Sequence, residues 1–181
     1  EFDRSASVSH TFMKIETLNM IPASEAAAWF EQCCAATSWI ESMVAARPYS
    51  DIQHIETQAA IAWSTCDKTD VLEAFTAHPM IGDVDSLRKK FANTKSIAAG
   101  EQAGTSQASE ATLLELKKAN QTYLDKHGFI FIICATGLSA DAMLDALNER
   151  LPHTTDEEIQ LAAHEQLKIT LLRINKAIDV E

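Results

Sequence analysis

The sequence predicts an all-α protein, built as a single compact domain of about seven to nine helices with one short extended apolar segment. Apolar residues recur at three- and four-residue steps through nearly every segment, which is the spacing of one helix face. Only five glycines and four prolines interrupt the 181 residues, so few long loops are expected. No two segments alternate apolar and polar residues as paired strands of a half-buried sheet would. A chain of this length is expected to bury one hydrophobic core.

Eight helical segments are predicted in chain order: residues 24–35, 37–46, 51–63, 67–77, a segment containing Leu87 and Phe91, 106–126, 139–151 and 155–178. Three helix starts are predicted to be capped by side chains, namely those of Ser24, Asp51 and Ser139. Gly128 is expected to end the segment 106–126, the longest of the central helices. Thr155, with Glu158 three residues later, fits the pattern of a capping box at the start of the last helix.

An apolar run at residues 129–134 breaks the helical pattern. Its β-branched and aromatic residues favour a strand. No other segment offers a strand partner, however, and a lone strand cannot satisfy its own backbone groups. We therefore expect a buried extended segment or a helix start inside the helical domain. Its backbone N–H and C=O groups are candidates for contacts with a ligand.

The composition argues against several classes of function. A formal net charge of −11 argues against nucleic-acid binding, because phosphate contacts require a basic surface. The four cysteines show no Cys-x-x-Cys spacing and the six histidines show no ligand pattern, so we expect neither a disulfide framework nor a metal site. No run of about 18 apolar residues is present, so we expect no membrane association.

The two ends of the chain give weaker indications. Residues 1–9 show no periodicity and no initiator methionine, and we expect a disordered end or an expression-tag remnant there. Residues 10–181 would then form the single helical domain. The absence of a signal-peptide pattern predicts a cytoplasmic protein. The last residues are Asp179-Val180-Glu181 in place of Ser-Lys-Leu, which argues against peroxisomal import by that signal.

His78-Pro79 is the first candidate for a catalytic group. Proline keeps the preceding residue out of the α region, so His78 is expected at a helix end with a restrained backbone. Histidine titrates near neutral pH and can give or take a proton under cellular conditions. Together with the carboxylate of Glu101 and the amide of Gln102, it could transfer a proton without a metal. The alternative is a histidine that only caps the helix C-terminus.

An arginine on the predicted last helix is the second candidate. Four residues recur at three- and four-residue steps and so share one strip of that helix: Ala162, Gln166, Ile169 and Arg173. Burying an arginine among apolar residues is costly unless an anion meets it. The alternative, which this helix alone favours, is a rim arginine whose guanidinium extends to solvent.

Five motifs follow one another along the chain: His78-Pro-Met-Ile-Gly-Asp83, Glu101-Gln-Ala-Gly104, Gly128-Phe-Ile-Phe-Ile-Ile-Cys-Ala-Thr-Gly137, Asn148-Glu-Arg-Leu151 and Ala162-Ala-His-Glu-Gln-Leu-Lys-Ile-Thr-Leu-Leu-Arg173. Each motif alone is a weak signal. In this order and spacing, however, they resemble the successive motifs of the 2-oxo-4-hydroxy-4-carboxy-5-ureidoimidazoline (OHCU) decarboxylases of urate degradation. The resemblance covers residues 20–178.

The resemblance implies an all-helical, cofactor-independent lyase, usually a homodimer, that decarboxylates OHCU to (S)-allantoin. His78 matches the family's catalytic histidine and Glu101 its partner carboxylate, which would fix the imidazole tautomer. The positions that match substrate-binding residues are Pro79, Gln102, Phe129, Ile130, Phe131, Ile132 and Arg173, with residues 129–132 contacting the heterocycle through their backbone. One position departs from the family, which usually has serine three residues before the glutamate. This chain has Ala98 there, with Ser96 two residues earlier.

Two other functions fit the same residues. A hydrolase acting on a related ureido or hydantoin compound would use the same polar groups, but it would need an activated water that a decarboxylase should exclude. A non-catalytic helical interaction domain would explain the helical pattern and the acidic surface. Such a domain would not require a histidine, a carboxylate, an amide and an arginine to converge on one apolar pocket.

Overall fold

The computed structural model describes residues 12–80, 84–98 and 109–179, without the side chains of residues 92–98. These residues form nine helices: α1 (Ile15–Met20), α2 (Ala23–Glu31), α3 (Thr37–Ala45), α4 (Ile52–Ser64), α5 (Lys68–Thr76), α6 (Val84–Ala98), α7 (Glu110–His127), α8 (Ala140–Arg150) and α9 (Thr155–Ala177). Two strands of two residues each, β1 (Met13–Lys14) and β2 (Ile178–Asp179), pair in parallel. The predicted all-α fold is confirmed. None of the described helices is both long enough and apolar enough to span a membrane.

The chain divides into two units. Unit 1 comprises Glu1–Ala74 and Leu167–Glu181, and unit 2 comprises Phe75–Gln166. The division falls within α5 and within α9. Each unit has its own buried side chains, and each is described separately below.

Buried aromatic side chains form the centre of unit 1. The Phe30 ring is fully buried and meets the rings of Trp39 and Tyr49 edge-on, at centroid distances of 5.9 and 6.2 Å. Trp39 Nε1 donates to the carbonyl oxygen of Ala59 at 3.1 Å. The Tyr49 hydroxyl donates to the carbonyl oxygen of Met43 at 2.7 Å. Each of these buried polar atoms has a partner, so burying the two rings leaves no donor unsatisfied.

Two of the three predicted helix N-caps are present in the structure. As predicted, the side chains of Asp51 and Ser139 accept from the backbone N–H three residues later, at 2.8 and 3.1 Å. The prediction for Ser24 is wrong, because α2 begins directly after Pro22 and Ser24 lies inside its first turn. The fixed φ of Pro22, −54°, suits the entry into a helix one residue earlier. The short α1 lies in a stretch for which the periodicity predicts no helix.

α7 is the long helix of unit 2, with 18 residues. It begins after Ser109, whose hydroxyl accepts from the N–H of Thr112 at 3.1 Å. It ends at Gly128 as predicted, because φ there is +80° and glycine has no Cβ to oppose that conformation. Its buried side is formed by Leu113, Leu116, Ala119, Tyr123 and His127.

The capping box of α9 lies one residue earlier than predicted. The N–H of Thr154 donates to the Glu157 carboxylate at 2.9 Å, and the N–H of Glu157 donates to the Thr154 hydroxyl at 3.2 Å. The prediction that Thr155 and Glu158 form this box is therefore wrong. Both pairs have the required spacing, so the local pattern cannot choose between them. Glu158 is fully buried, which commits it to the core.

The apolar run at residues 129–134 does not join a sheet. Residues 130–135 are neither helical nor strand, and the two strands of the described chain are β1 and β2. The expectation of an unpaired segment inside a helical fold is confirmed, and the alternative of a helix start is wrong.

Candidate active site

His78 lies just beyond the end of α5, where the sequence predicts it. α5 ends at Thr76, and the backbone N–H of His78 donates to the carbonyl oxygen of Phe75 at 3.2 Å. Pro79 follows directly and is exposed, whereas His78 is half-buried. The imidazole is therefore attached to a backbone position that the helix end and the proline both restrain.

The ring of His78 is held by a buried amide. Its Nε2 atom lies 2.5 Å from Oε1 of Gln166, which is 88 positions away in the sequence and belongs to α9. Only 1% of Gln166 is exposed. The helical periodicity places Gln166 on the apolar strip of the last helix but predicts no role for it. The signal that could have found it is the polar amide itself, because a buried amide requires a partner.

Several predicted site residues lie outside the described part of the chain. These are Glu101 and Gln102, together with residues 81–83 of the first motif. The side chains of Ser96 and Ala98 are likewise not described. The roles predicted for these residues remain predictions.

Residues 129–132 pack against the end of α5 that leads to His78. The side chains of Phe129 and Ile132 are buried, and those of Ile130 and Phe131 are half-buried. The ring of Phe129 lies 5.3 Å from that of Phe75, three residues before His78. On α7, the Tyr123 ring lies 5.3 Å from that of Phe131. The segment is thus fixed by aromatic packing on the same short stretch that positions the histidine.

Arg150, at the end of α8, anchors the backbone of this segment. Its Nη1 atom donates to the carbonyl oxygen of Ile132 at 2.6 Å. Its guanidinium carbon lies 4.5 Å from the centre of the Phe131 ring, within the range of a cation–π contact. A side chain therefore satisfies a backbone acceptor that a neighbouring strand would otherwise satisfy. Arg150 belongs to the Asn-Glu-Arg-Leu motif, to which the sequence analysis assigns no role.

Glu158 joins Arg150 to two further side chains. The buried carboxylate accepts from the Tyr123 hydroxyl at 2.6 Å, from Arg150 Nε at 2.8 Å and from His153 Nδ1 at 2.9 Å. We call these four residues the Glu158 network. Burial alone would raise the pKa of Glu158, but the bonds from Tyr123 and His153 and the charge of Arg150 outweigh it and lower that pKa below 4.5. Burial and the bond to Glu158 raise the pKa of Tyr123, so its hydroxyl remains a donor.

Arg173 belongs to unit 1, where it is half-buried on α9. Its Nη1 atom donates to the carbonyl oxygen of Cys33 at 3.2 Å. Burial raises the pKa of the Cys33 thiol, so the thiol stays protonated and uncharged. The bond to a neutral carbonyl holds the guanidinium without neutralising its charge. Arg173 is therefore anchored to the protein, in contrast to an arginine that only extends to solvent.

The described residues show no arrangement suited to a metal. Over residues 12–80, 84–91 and 109–179, no group of three or more His, Cys, Asp or Glu side chains is placed to hold an ion. The described contacts of His78 and Arg173 are instead with an amide and a backbone carbonyl. An imidazole held by an amide is suited to proton transfer, and an anchored guanidinium is suited to binding an anion.

A sequence model of the OHCU decarboxylase family matches residues 19–175, which is most of the chain. The chain belongs to the OHCU decarboxylase family. It is 38% identical over 146 residues to the uric acid degradation bifunctional protein TTL of Arabidopsis thaliana, a match that covers 80% of this chain and 44% of that protein. It is 25% identical over 142 residues to the 2-oxo-4-hydroxy-4-carboxy-5-ureidoimidazoline decarboxylase of Halalkalicoccus jeotgali, covering 78% of this chain and 75% of that one.

A solved structure supports the same assignment. The crystal structure of an OHCU decarboxylase in the presence of (S)-allantoin matches with a TM-score of 0.64 and 34% sequence identity. The match covers 83% of this chain and 96% of the crystallised chain. The chain thus spans nearly all of that decarboxylase, but less than half of the Arabidopsis bifunctional protein. The resemblance seen in the five motifs is confirmed.

Proposed function

We propose that this member of the OHCU decarboxylase family converts OHCU to (S)-allantoin in urate degradation, without a metal or an organic cofactor. The observation that carries the proposal is the family match over residues 19–175. It is supported by the 34% identity to an OHCU decarboxylase crystallised in the presence of (S)-allantoin. The placement of His78 at a restrained helix end agrees with a role in proton transfer.

The reaction needs no cofactor to accept electrons, because the substrate's own imine can accept the electron pair released on decarboxylation. The bond between the ring carbon and the carboxylate breaks, and its electron pair moves into the adjacent imine, whose nitrogen takes up a proton as CO₂ leaves. The hydroxyl on that ring carbon then gives up its proton as a carbonyl forms. A proton is added on one face of the carbon that bears the ureido group. The protein must therefore orient the carboxylate, stabilise the developing charge and control that protonation.

We assign the proton transfer to His78, with Glu101 as the partner carboxylate that stabilises the imidazolium formed when the ring takes up a proton. A positioned imidazole can accelerate such a step by about 10²–10⁴-fold. The described structure supports this by restraining the backbone of His78 and by holding its ring against Gln166. Pro79 belongs to the same assignment, because it fixes the chain next to the histidine and its side chain is exposed.

We assign the binding of the substrate's anionic and carbonyl oxygens to Arg173 and Gln102. A guanidinium can hold a carboxylate through two parallel hydrogen bonds, and an amide can donate to a carbonyl. The anchoring of Arg173 on the Cys33 carbonyl supports this role, because it orders the side chain and leaves its charge in place.

We assign the recognition of the heterocycle to the backbone of residues 129–132. Arg150 holds the carbonyl of Ile132, and the N–H of Cys134 donates to the Glu165 carboxylate at 3.4 Å. These bonds and the aromatic packing set the shape of the segment before a ligand arrives. Such preorganisation lowers the entropic cost of binding.

The decisive experiment mixes the protein with freshly generated OHCU and follows the optical activity of the allantoin formed. We expect (S)-allantoin in excess, released with CO₂ faster than in the uncatalysed control, and activity that survives exhaustive chelation. A ring-opened product that retains its carboxylate would indicate a hydrolase. Racemic allantoin at the uncatalysed rate would indicate a non-catalytic domain. Restoration of a chelated sample by a divalent metal would contradict the metal-free assignment.

We further propose that the chain works as a homodimer in the cytoplasm. The dimer follows from the family resemblance, and the cytoplasmic location remains a prediction from the sequence. Light scattering coupled to size exclusion measures the mass directly, and a value near twice 19.9 kDa is expected. A mass near 19.9 kDa at working concentrations would contradict the dimer.

A further inference from the structure

We infer that Gln166 is a positioning residue for His78: its side-chain carbonyl accepts the Nε2 proton, so Nδ1 is the nitrogen that takes up and releases the proton during decarboxylation. The inference deepens the proposed function and rests on it, because it concerns the same histidine. It assigns a role to a buried amide that the motif resemblance leaves without one.

The geometry fixes which nitrogen carries the proton. Oε1 of Gln166 lies 2.5 Å from Nε2 of His78, and a carbonyl oxygen can only accept a hydrogen bond. Nε2 must therefore be the N–H donor. A neutral imidazole has one N–H and one lone pair, so the lone pair belongs to Nδ1. In the imidazolium form both nitrogens carry protons, and the bond from Nε2 to Gln166 is retained.

The burial of Gln166 explains how a neutral group can impose this tautomer. With 1% of the residue exposed, water cannot replace its carbonyl as the acceptor for Nε2. With the amide in its observed orientation, the other tautomer would place the Nε2 lone pair against the carbonyl oxygen, two acceptors facing each other, which is unfavourable. The choice of glutamine is also informative. A carboxylate at this position would stabilise the imidazolium and hold its proton, whereas an amide orients the ring without adding charge.

The first test measures the tautomer of the wild-type protein and needs no activity. Long-range ¹⁵N–¹H correlation spectra of ¹⁵N-histidine-labelled protein distinguish the two ring nitrogens, and the His78 signals are identified by their loss in His78→Asn. We expect the neutral ring to carry its proton on Nε2. A neutral ring protonated on Nδ1 would overturn the inference.

The second test changes the acceptor in two opposite ways. Gln166→Glu places a negative charge beside Nε2 and is expected to raise the pKa of His78 by about 1–3 pH units. Gln166→Met has similar length but no acceptor. Both forms of the ring lose the hydrogen bond, but the imidazolium loses the stronger one, so the pKa is expected to fall by about half to one pH unit. The pH dependence of kcat should shift in the same two directions.

The matched control is Gln160→Glu, which makes the same chemical change at an exposed position of the same helix. It should leave the His78 titration and the pH profile where they are in the wild-type protein. Shifts of the same sign in both Gln166 variants, or no shift in either, would overturn the inference. If Gln166→Met does not fold, as judged by far-UV circular dichroism, the glutamate variant and the wild-type tautomer still decide it.

The outcomes separate this inference from the proposed function. If His78→Asn decarboxylates OHCU normally, the assignment of proton transfer to His78 fails, whatever the tautomer. If His78→Asn is inactive but the wild-type ring carries its proton on Nδ1, the proposed function stands and only the role of Gln166 fails.

Discussion

Arg150 and Arg173 contrast two ways in which this fold holds a guanidinium. Arg150 is 8% exposed, and its charge faces the buried carboxylate of Glu158 at 2.8 Å. Arg173 is half-buried, and its described hydrogen bond goes to the neutral carbonyl of Cys33 at 3.2 Å. The first guanidinium is neutralised by the protein and the second is only anchored by it. The contrast fits a structural role for Arg150 and supports the anion-binding role that we propose for Arg173.

The two arginines differ in their hydrogen-bond partners and not in residue type, and this difference is the basis for proposing a structural role for one and a binding role for the other. Both arginines lie in motifs that resemble the family. A buried charge needs a partner of opposite charge, whereas a ligand-binding charge must keep part of its potential available. Substitutions of these residues and their partners test this division.

Glu158→Gln should lower the free energy of unfolding by about 3–5 kcal/mol, because it leaves Arg150 buried without its counter-charge. Urea denaturation monitored by circular dichroism measures the change. The matched control is Glu157→Gln, the same substitution one residue earlier, where a glutamine still completes the capping box. If the two variants are equally stable, Glu158 does not neutralise Arg150 in the way described.

Arg173→Lys should raise KM for OHCU about tenfold to a hundredfold with little change in stability, because a point charge replaces a planar two-donor group. Arg150→Lys should instead lower the free energy of unfolding more than it changes KM. Lysine cannot bind Glu158 and the Ile132 carbonyl at the same time as a guanidinium does. Steady-state kinetics and urea denaturation on both variants give the comparison. A loss of stability in Arg173→Lys that matches that in Arg150→Lys would remove the distinction.

The contribution of the Glu158 network to the free energy of unfolding should depend on pH, and this effect is the smallest of those expected. The pKa of Glu158 is lowered in the folded state, so its contribution is fully present above the unfolded value, near 4.5, and is lost as the pH falls through the folded value. The stability difference between wild type and Glu158→Gln should therefore be constant above about pH 5.5 and shrink below about pH 4.5. Denaturation series at several pH values measure it, and a difference that grows on acidification would contradict the assigned sign.

The features of the fold that could be predicted are mostly set by residues close together in the sequence. The caps at Asp51 and Ser139 and the stop at Gly128 depend on residues within one turn of the chain, so the sequence contains them in full. The capping prediction for Ser24 is wrong because the helix already begins after Pro22, two residues earlier. The capping-box prediction for Glu158 is wrong because two overlapping Thr-x-x-Glu patterns have the required spacing. Only the burial of Glu158 shows which pair forms the box.

The candidate site could be predicted only where a motif marks it. His78 is recognised by the proline after it, a local property of the chain. Its contact with Gln166 joins residues 88 positions apart, and the anchor from Arg173 to Cys33 joins residues 140 positions apart. Periodicity gives the face of a helix on which a residue lies, but not the residue that meets it from another helix. These partners therefore required the three-dimensional structure.

We propose that His78 performs the proton transfer and that other groups bind the substrate. The most direct test compares wild type with His78→Asn, measuring turnover of fresh OHCU by circular dichroism and binding of (S)-allantoin by calorimetry. We expect kcat to fall by about 10²–10⁴-fold while the Kd for (S)-allantoin stays near the wild-type value. Near-normal turnover by a folded His78→Asn protein would contradict it.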